Sequence, residues 1–294
     1  MTDKKKIDFN LKEFENVKSL GFGGYGSVML VKQTTTKQLY VVKTVPKSTQ
    51  NDYLVKQEAS ILQLLQPICA KYVICYKGLF SDSKHWYLLS PYLGEDWLSM
   101  EKIQDIIRFH QNLEFIRVYN QFKDKAQKEL ANAMYKSGVH MNIHTQQFEI
   151  MIISNLIDAL KAIHAYQVVH RDIKPENILI NYKTGEIRVL DFGMACRDPE
   201  CAKFFTPGSV GYQSKQLQLA ASIHSFSKEA KEWNADVYRN NDVYALAKVI
   251  LFILAARNNG SWQRGICIMG DLYLSNGHTL KTTIDTMLEK QTLI

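Results

Sequence analysis

Four polar side chains in the central part of the chain could together transfer a phosphoryl group. Asp172 supplies a carboxylate that can accept a proton from an attacking hydroxyl, and Lys174 supplies an ammonium that can offset charge on the phosphoryl group. Asn177 supplies a carbonyl oxygen and Asp191 a second carboxylate, the kinds of ligand that hard divalent cations bind. These residue types are the ones that a metal-assisted phosphoryl transfer would require.

These side chains lie in two motifs that resemble those of eukaryotic protein kinases. The residues from 170 to 177 read His-Arg-Asp-Ile-Lys-Pro-Glu-Asn, similar to the catalytic loop, and Asp191 begins an Asp-Phe-Gly tripeptide. Lysine two positions after the aspartate resembles the serine/threonine branch. The resemblance implies that Asp172 and Lys174 are catalytic and that Asn177 and Asp191 hold Mg²⁺, or alternatively Mn²⁺, beside ATP. A lone His-Arg-Asp tripeptide would indicate only a polar loop.

A glycine-rich stretch lies near the start of the chain and leads into the strand-like residues 29–32. A dinucleotide-binding fingerprint would need a following helix, whereas the glycine-rich loop of protein kinases joins two strands and covers the ATP phosphates. By itself the pattern is as typical of a tight β-turn. The resemblance implies ATP contacts for Leu20, Gly21, Gly23, Gly24, Gly26 and Val28.

A strand ending in Val-Val-Lys and the helix that follows it resemble the next two motifs of the family. The resemblance implies that Lys43 binds the α- and β-phosphates and that Glu58, in a helix predicted over 53–65, forms an ion pair with it. Val41, where the family usually has alanine, would line the adenine site. Outside this context, a strand lysine and a helix glutamate would both be read as surface charges.

The adenine site is completed by two further segments. The aromatic and aliphatic residues 85–94 resemble the hinge between the lobes, which implies contacts to adenine from Ser90, Tyr92 and Leu93. Residues 178–180 and 187–190 alternate like a hairpin, and Leu179 would lie on the floor of the site.

Three residues have implied structural or regulatory roles. Asp242, at a position similar to the start of the family's αF helix, would hydrogen-bond the backbone of the catalytic loop. Thr206 would be an activating phosphorylation site bound by Arg171, and an ordinary loop threonine is an equal alternative. Residues 208–216 lack the family's usual proline and closing glutamate. In this they resemble the casein kinase I group, as Leu93 and Gly94 also do.

The resemblance implies an α+β, bilobal fold with a small β-rich N-terminal lobe and a larger, mainly helical C-terminal lobe. We predict an N-terminal extension over 1–14, the N-terminal lobe over 15–92 and the C-terminal lobe over 93–294. An insertion with one or two candidate amphipathic helices is expected at about 98–147, where a partner-docking surface and a packed elaboration of the lobe are both open. The apolar stripe of 148–167 predicts a core helix, and the region after αF is short.

Composition narrows the functional classes. A net charge of +7 favours anionic partners, which leaves ATP, acidic or phosphoprimed protein segments and nucleic acid open. The sequence has no glycine-arginine tract, zinc-finger spacing or aromatic RNA-binding signature, which disfavours a dedicated role in nucleic-acid binding. Five cysteines, an odd number without a Cys-x-x-Cys pair, argue against a disulfide framework or a structural zinc site and favour a reducing compartment. We found no apolar run that would span a membrane, so the chain is expected to be soluble and cytoplasmic or nuclear.

Together these features predict a serine/threonine protein kinase that transfers the γ-phosphate of Mg-ATP to a protein hydroxyl. The alternative from another class is a pseudokinase, a nucleotide-binding scaffold that acts through partner contacts. Such proteins usually lack one of the residues named above, and all of them are present here. A small-molecule kinase is a third reading that the two long motifs disfavour.

Overall fold

The structure, a computed structural model, describes residues 13–23, 26–103, 146–198, 200–203, 208–219, 235–257 and 261–293. Within these ranges a five-stranded sheet precedes a mainly helical region, which confirms the predicted α+β bilobal fold. Gly24, Thr206, nearly all of the N-terminal extension and most of the insertion lie outside them. No helix in the described part of the chain combines the length and the apolar character needed to cross a membrane.

The N-terminal lobe is built on an antiparallel sheet with strand order β1-β2-β3-β5-β4. Its strands are β1 (Phe14–Gly23), β2 (Gly26–Gln33), β3 (Leu39–Pro46), β4 (Gly78–Ser81) and β5 (His85–Pro91). Because side chains alternate across a strand, the buried Tyr40 and Val42 join one core face of β3, while Val41 and Lys43 project from the other. The register places Lys43 between Val28 and Leu88.

Helix α1 (Thr49–Leu64) packs against this sheet and carries Glu58 on its buried face. The helix begins four residues before the predicted start because the Ser48 side chain caps it, accepting a hydrogen bond from the Asn51 backbone N–H at 3.1 Å. Val55, Ala59 and the other apolar residues of this face are in the core, so Glu58 is only 4% exposed. A buried carboxylate in an apolar face needs a charged partner.

The C-terminal lobe is organised by two long helices, α2 (Gln146–Ala165) and α3 (Ala235–Arg257), with α4 (Trp262–Met269) and α5 (Leu280–Glu289) beside them. The predicted core helix over 148–167 is α2, displaced by two residues at each end. Short strands β6 (Trp97–Ser99), β8 (Ile178–Asn181) and β9 (Ile187–Val189) form one sheet, in which β8 and β9 are the predicted hairpin. Strands β7 (Val168–Val169) and β10 (Cys196–Arg197) form another.

The ends of the predicted insertion belong to the C-terminal lobe. Leu98 pairs with Ile180 in the β6–β8 ladder, and Met100 and Ile103 are buried in the main core. Residues 146 and 147 are the first two of α2. Strand pairing and core packing thus place the described residues at both ends of the predicted insertion in the lobe, and the insertion between them stays a prediction.

Two disulfides contradict the cysteine reasoning. Cys69 is bonded to Cys75 and Cys196 to Cys201, which leaves Cys267 free and exposed. Both bridges close short loops whose turns bring the Cα atoms within 4.7 and 5.1 Å, a proximity that neither an odd count nor a spacing rule reveals. The expectation of a reducing compartment loses its basis with them.

The loop closed by Cys69 and Cys75 joins the two lobes. Val189 of β9 donates its N–H to Tyr72 O at 2.8 Å and accepts from the Ile74 N–H at 3.1 Å. The buried Arg188 donates to the carbonyls of Ala70 and Lys71, and its guanidinium lies 4.7 Å from the centre of the Trp97 ring. The N-terminal lobe is thus fixed to the strand that leads directly to Asp191.

We expect the double variant Cys69→Ser, Cys75→Ser to have a free energy of unfolding about 2 kcal/mol lower than that of the wild type. The reason is that the disulfide no longer restricts the unfolded chain. Urea denaturation without reductant measures the difference, and mass spectrometry after alkylation verifies the disulfides. Cys267→Ser is the matched control and should leave stability unchanged. Equal stability of the double variant and the control would contradict the expectation.

Candidate active site

The Lys43 ammonium joins the two lobes at the centre of the site. Its Nζ lies 2.9 Å and 3.0 Å from the two carboxylate oxygens of Glu58 and 2.7 Å from Oδ1 of Asp191. β3, α1 and the segment after β9 supply one residue each, from positions up to 148 residues apart. The predicted pair of Lys43 with Glu58 is present, and the geometry adds Asp191 to it.

Charge and burial are balanced in this cluster. Burial alone would lower the pKa of Lys43, but the facing carboxylates of Glu58 and Asp191 raise it well above its ordinary value. Burial would raise the pKa of Asp191, and the Lys43 ammonium lowers it instead. Burial raises the pKa of Glu58 against the opposing effect of Lys43. The ammonium is therefore charged at neutral pH and Asp191 is ionised.

Asp172 and Asn177 face each other in the loop between β7 and β8. The Asn177 amide nitrogen donates to the Asp172 backbone carbonyl at 2.9 Å and to its Oδ2 at 3.1 Å, and both residues are buried. Since the nitrogen is used in this way, the side-chain carbonyl oxygen is the atom that Asn177 can offer to a cation. Leu190, next to Asp191, donates its N–H to Asn177 O at 2.8 Å.

Asn177 and Asp191 could hold a cation. Asp191, with a side chain 42% exposed, and Asn177 offer only oxygen ligands, which suit Mg²⁺ or Mn²⁺. No cluster of three or more histidine, cysteine or acidic side chains able to hold a metal occurs among the described residues. A pair of oxygen ligands is consistent with a cation that also binds the phosphates of a nucleotide.

Ser209 is a site residue that the sequence reasoning missed. Its hydroxyl donates to Asp172 Oδ1 at 2.6 Å and accepts from Lys174 Nζ at 2.8 Å, while its N–H donates to the same Asp172 oxygen at 3.1 Å. Lys174 also lies 2.8 Å from Asp172 Oδ2. The sequence signal that could have identified Ser209 is a hydroxyl residue directly after a glycine, in the segment that lacks the family's usual proline and glutamate.

Gly208 lets this segment approach the catalytic loop. Its φ is +71°, and a Cβ atom there would lie 2.4 Å from the Arg171 carbonyl oxygen, so any other residue would be strained and would clash. The segment ends against α3, where the Asn241 side chain accepts the N–H of Ser214 at 2.8 Å. These contacts anchor the stretch in which the family's usual closing residues are missing.

Asp242 fixes the backbone of the catalytic loop. Its two carboxylate oxygens accept the N–H groups of His170 and Arg171, both at 2.8 Å, and one of them lies 3.1 Å from His164 Nε2. Arg171 has φ of +66°, a left-handed conformation that is strained for a side-chain-bearing residue. The charged acceptor at 0% exposure compensates for that strain, in the role that the sequence implies for Asp242.

Arg171 is engaged within the protein. Its Nε donates to the Met194 carbonyl, and its guanidinium lies 5.3 Å from the centre of the Tyr238 ring. Burial lowers the pKa of this guanidinium, against the favourable charges around it. The proposed partner, Thr206, lies outside the described residues, so the pairing of Arg171 with a phosphate stays a prediction.

The implied adenine-site residues lie on both lobes. Val41 is opposite Leu30 on one side and Ser90 on the other, and Val28 is opposite Lys43 and Gly21. Gly23 pairs with Gly26, where a Cβ atom would lie 1.9 Å from Thr44 O. The remaining residues are Leu20, which is exposed, and Tyr92, Leu93 and Leu179, which are half-buried, with Leu179 on β8.

Comparison with known proteins agrees with this geometry. A family profile described as the protein kinase domain matches residues 14–217. Similar curated proteins include the serine/threonine-protein kinases CBK1 of Pneumocystis carinii (29% identical over 65% of this chain), MRCK beta of Homo sapiens (26% over 70%) and LATS1 of Mus musculus (27% over 71%). The matches span 31%, 10% and 15% of the length of these relatives, respectively.

We expect Asp242→Asn to lower the free energy of unfolding by about 2 kcal/mol, because the amide can accept from only one of the two buried N–H groups and presents its own N–H to the other. Urea denaturation measures the change. Asp285→Asn, at an exposed position of α5, is the control and should be neutral. The assigned role of Asp242 fails if both variants unfold alike.

We expect Ser209→Ala to reduce the rate of phosphoryl transfer about ten- to a hundredfold, because the hydroxyl that orients Asp172 and Lys174 is lost. Ser209→Thr keeps the hydroxyl and should retain most of the rate. Initial-rate kinetics with a generic protein substrate give kcat for both variants. Similar rates for the alanine and threonine variants would show that the hydroxyl has no part in the reaction.

Proposed function

Because the chain belongs to the protein kinase family, we propose that it is an ATP-dependent protein kinase that phosphorylates serine and threonine side chains. The observation that carries the proposal is the contact of Lys43 with both Glu58 and Asp191, since it brings the residues implied in phosphate and metal binding to one place. Support also comes from the similar proteins, whose names describe serine/threonine kinases, and from the lysine two residues after Asp172.

In the proposed reaction, residues of both lobes have separate roles. Lys43, held by Glu58, binds the α- and β-phosphates of ATP, and the glycine-rich loop covers them. Asp172 orients the substrate hydroxyl and accepts its proton, while Lys174 stabilises charge on the transferred group. Asn177 and Asp191 would hold Mg²⁺, or Mn²⁺, which neutralises phosphate charge when bound.

The class of substrate is inferred from the family and from the net charge. A protein hydroxyl fits the family, and the net charge of +7 favours acidic or phosphoprimed segments. Three inferences stay predictions: the similarity to the casein kinase I group, a cytoplasmic or nuclear location, and the lack of dedicated nucleic-acid binding. The similar proteins reported above carry other names, so a place beside the CBK1, LATS1 and MRCK kinases is an equal proposal.

We expect Asp172→Asn to lower kcat by about a thousandfold and to leave ATP affinity within about twofold of the wild type, because the variant loses the proton acceptor but no phosphate ligand. Transfer of labelled γ-phosphate to a generic protein measures the rate, and calorimetry measures nucleotide binding. Asp285→Asn serves as the matched control.

Two outcomes would contradict the proposal. Equal rates for Asp172→Asn and the wild type would remove Asp172 from the chemistry. A wild type that binds ATP but transfers no phosphate to any protein would identify the chain as a nucleotide-binding scaffold.

A further inference from the structure

Gln57, the neighbour of Glu58 in α1, makes a contact that the roles described so far do not include. Its side-chain Nε2 donates a hydrogen bond of 2.7 Å to the backbone carbonyl of Ala195, which lies 138 positions further along the chain. Ala195 is 1% exposed and Gln57 is half-buried. A buried carbonyl that lacks a partner is costly, so the Gln57 amide satisfies a requirement of the segment that follows Asp191.

Helix α1 thereby holds that segment at two points. Glu58 reaches Asp191 through the Lys43 ammonium, and Gln57 reaches Ala195 directly, four residues later. Beside the Arg171 bond to the Met194 carbonyl, these two attachments tie both the position and the rotation of the segment to one helix. Consecutive residues of one helix supply both, so a movement of α1 displaces both ends of the segment together.

The intervening backbone has little regular structure to hold it in place. Asp191 has φ of +55°, in the left-handed region, and a single 3₁₀ turn, Phe192–Met194, follows it. Within the turn the Ala195 N–H donates to Phe192 O at 3.0 Å. A strained residue beside a short turn keeps its conformation only where the surroundings impose it, and the Gln57 amide is one such contact.

We propose that Gln57 is a positioning residue for phosphoryl transfer: by holding Ala195 it keeps the Asp191 carboxylate in place beside Lys43. The proposal rests on the kinase function argued above. Gln57 acts through the backbone of Ala195. The contact involves two neutral groups, so α1 holds this end of the segment without a charged partner.

The test compares two substitutions at Gln57 with the same two at Gln63, an exposed residue of the same helix. Gln57→Met keeps the shape of the side chain and removes the donor. Gln57→Glu places a carboxylate against the carbonyl oxygen and therefore repels it. Helix propensity changes little among these residues, so the Gln63 pair controls for effects on α1 itself.

Two measurements are made on each variant. Hydrogen exchange of the protein without nucleotide reports the opening of residues 192–197. Steady-state kinetics report kcat and the Mg²⁺ concentration that gives half the maximal rate. We expect exchange in 192–197 to rise about tenfold in Gln57→Met and kcat to fall about five- to tenfold, with a higher Mg²⁺ requirement and a larger loss in Gln57→Glu. Exchange in α2 should stay unchanged, and both Gln63 variants should match the wild type.

Each other outcome overturns the proposal in a recognisable way. Wild-type exchange and kinetics in Gln57→Met show that the hydrogen bond positions nothing. Equal losses in the Gln63 variants, or faster exchange in α2 as well, assign the effect to general stability. An active wild type that depends on Asp172 but not on Gln57 overturns this inference alone, whereas an inactive wild type overturns the kinase function together with it.

Discussion

The site depends on one ammonium group shared by two carboxylates. Lys43 stays charged although it is largely buried, because Glu58 and Asp191 face it from different elements. The buried Glu58 carboxylate would be unstable in its position without the cation, since isolated charges are costly to bury, and the same ammonium holds the more exposed carboxylate of Asp191. Assembly of the site therefore adds a contact between the lobes to that of the Cys69–Cys75 loop, and displacement of α1 would leave both Lys43 and Asp191 poorly placed.

A second group of contacts, made by α3, holds the catalytic loop in place. Asn241 and Asp242 of α3 accept backbone N–H groups from the segment that carries Ser209 and from the loop that carries Asp172. α3 lies in the largest apolar core among the described residues, so its polar side chains are held at fixed positions. A rigid helix thus imposes a strained conformation on a loop whose backbone would otherwise relax.

Most of the site could be predicted because its residues lie in two contiguous motifs and two short strands whose sequences are distinctive. Glu58 was identified from a helical pattern together with Lys43, and Asp242 from its resemblance to the start of the family's αF helix. Ser209 and Gln57 were missed because a serine in a loop and a glutamine in a helix have no distinctive local pattern. Their significance depends on Asp172 and Ala195, which are far away in sequence.

From local periodicity the sequence alone predicted several of the strands and helices, and its resemblance to protein kinases implied the α+β fold and the polar residues that assemble around Lys43, because periodicity and contiguous motifs are recorded in neighbouring residues. Only the tertiary structure decided which cysteines are bonded and which side chains fix the described parts of the segment from Asp191 to Ser209. Those outcomes follow from distances between residues remote in the chain, and such distances are set by packing of the whole core.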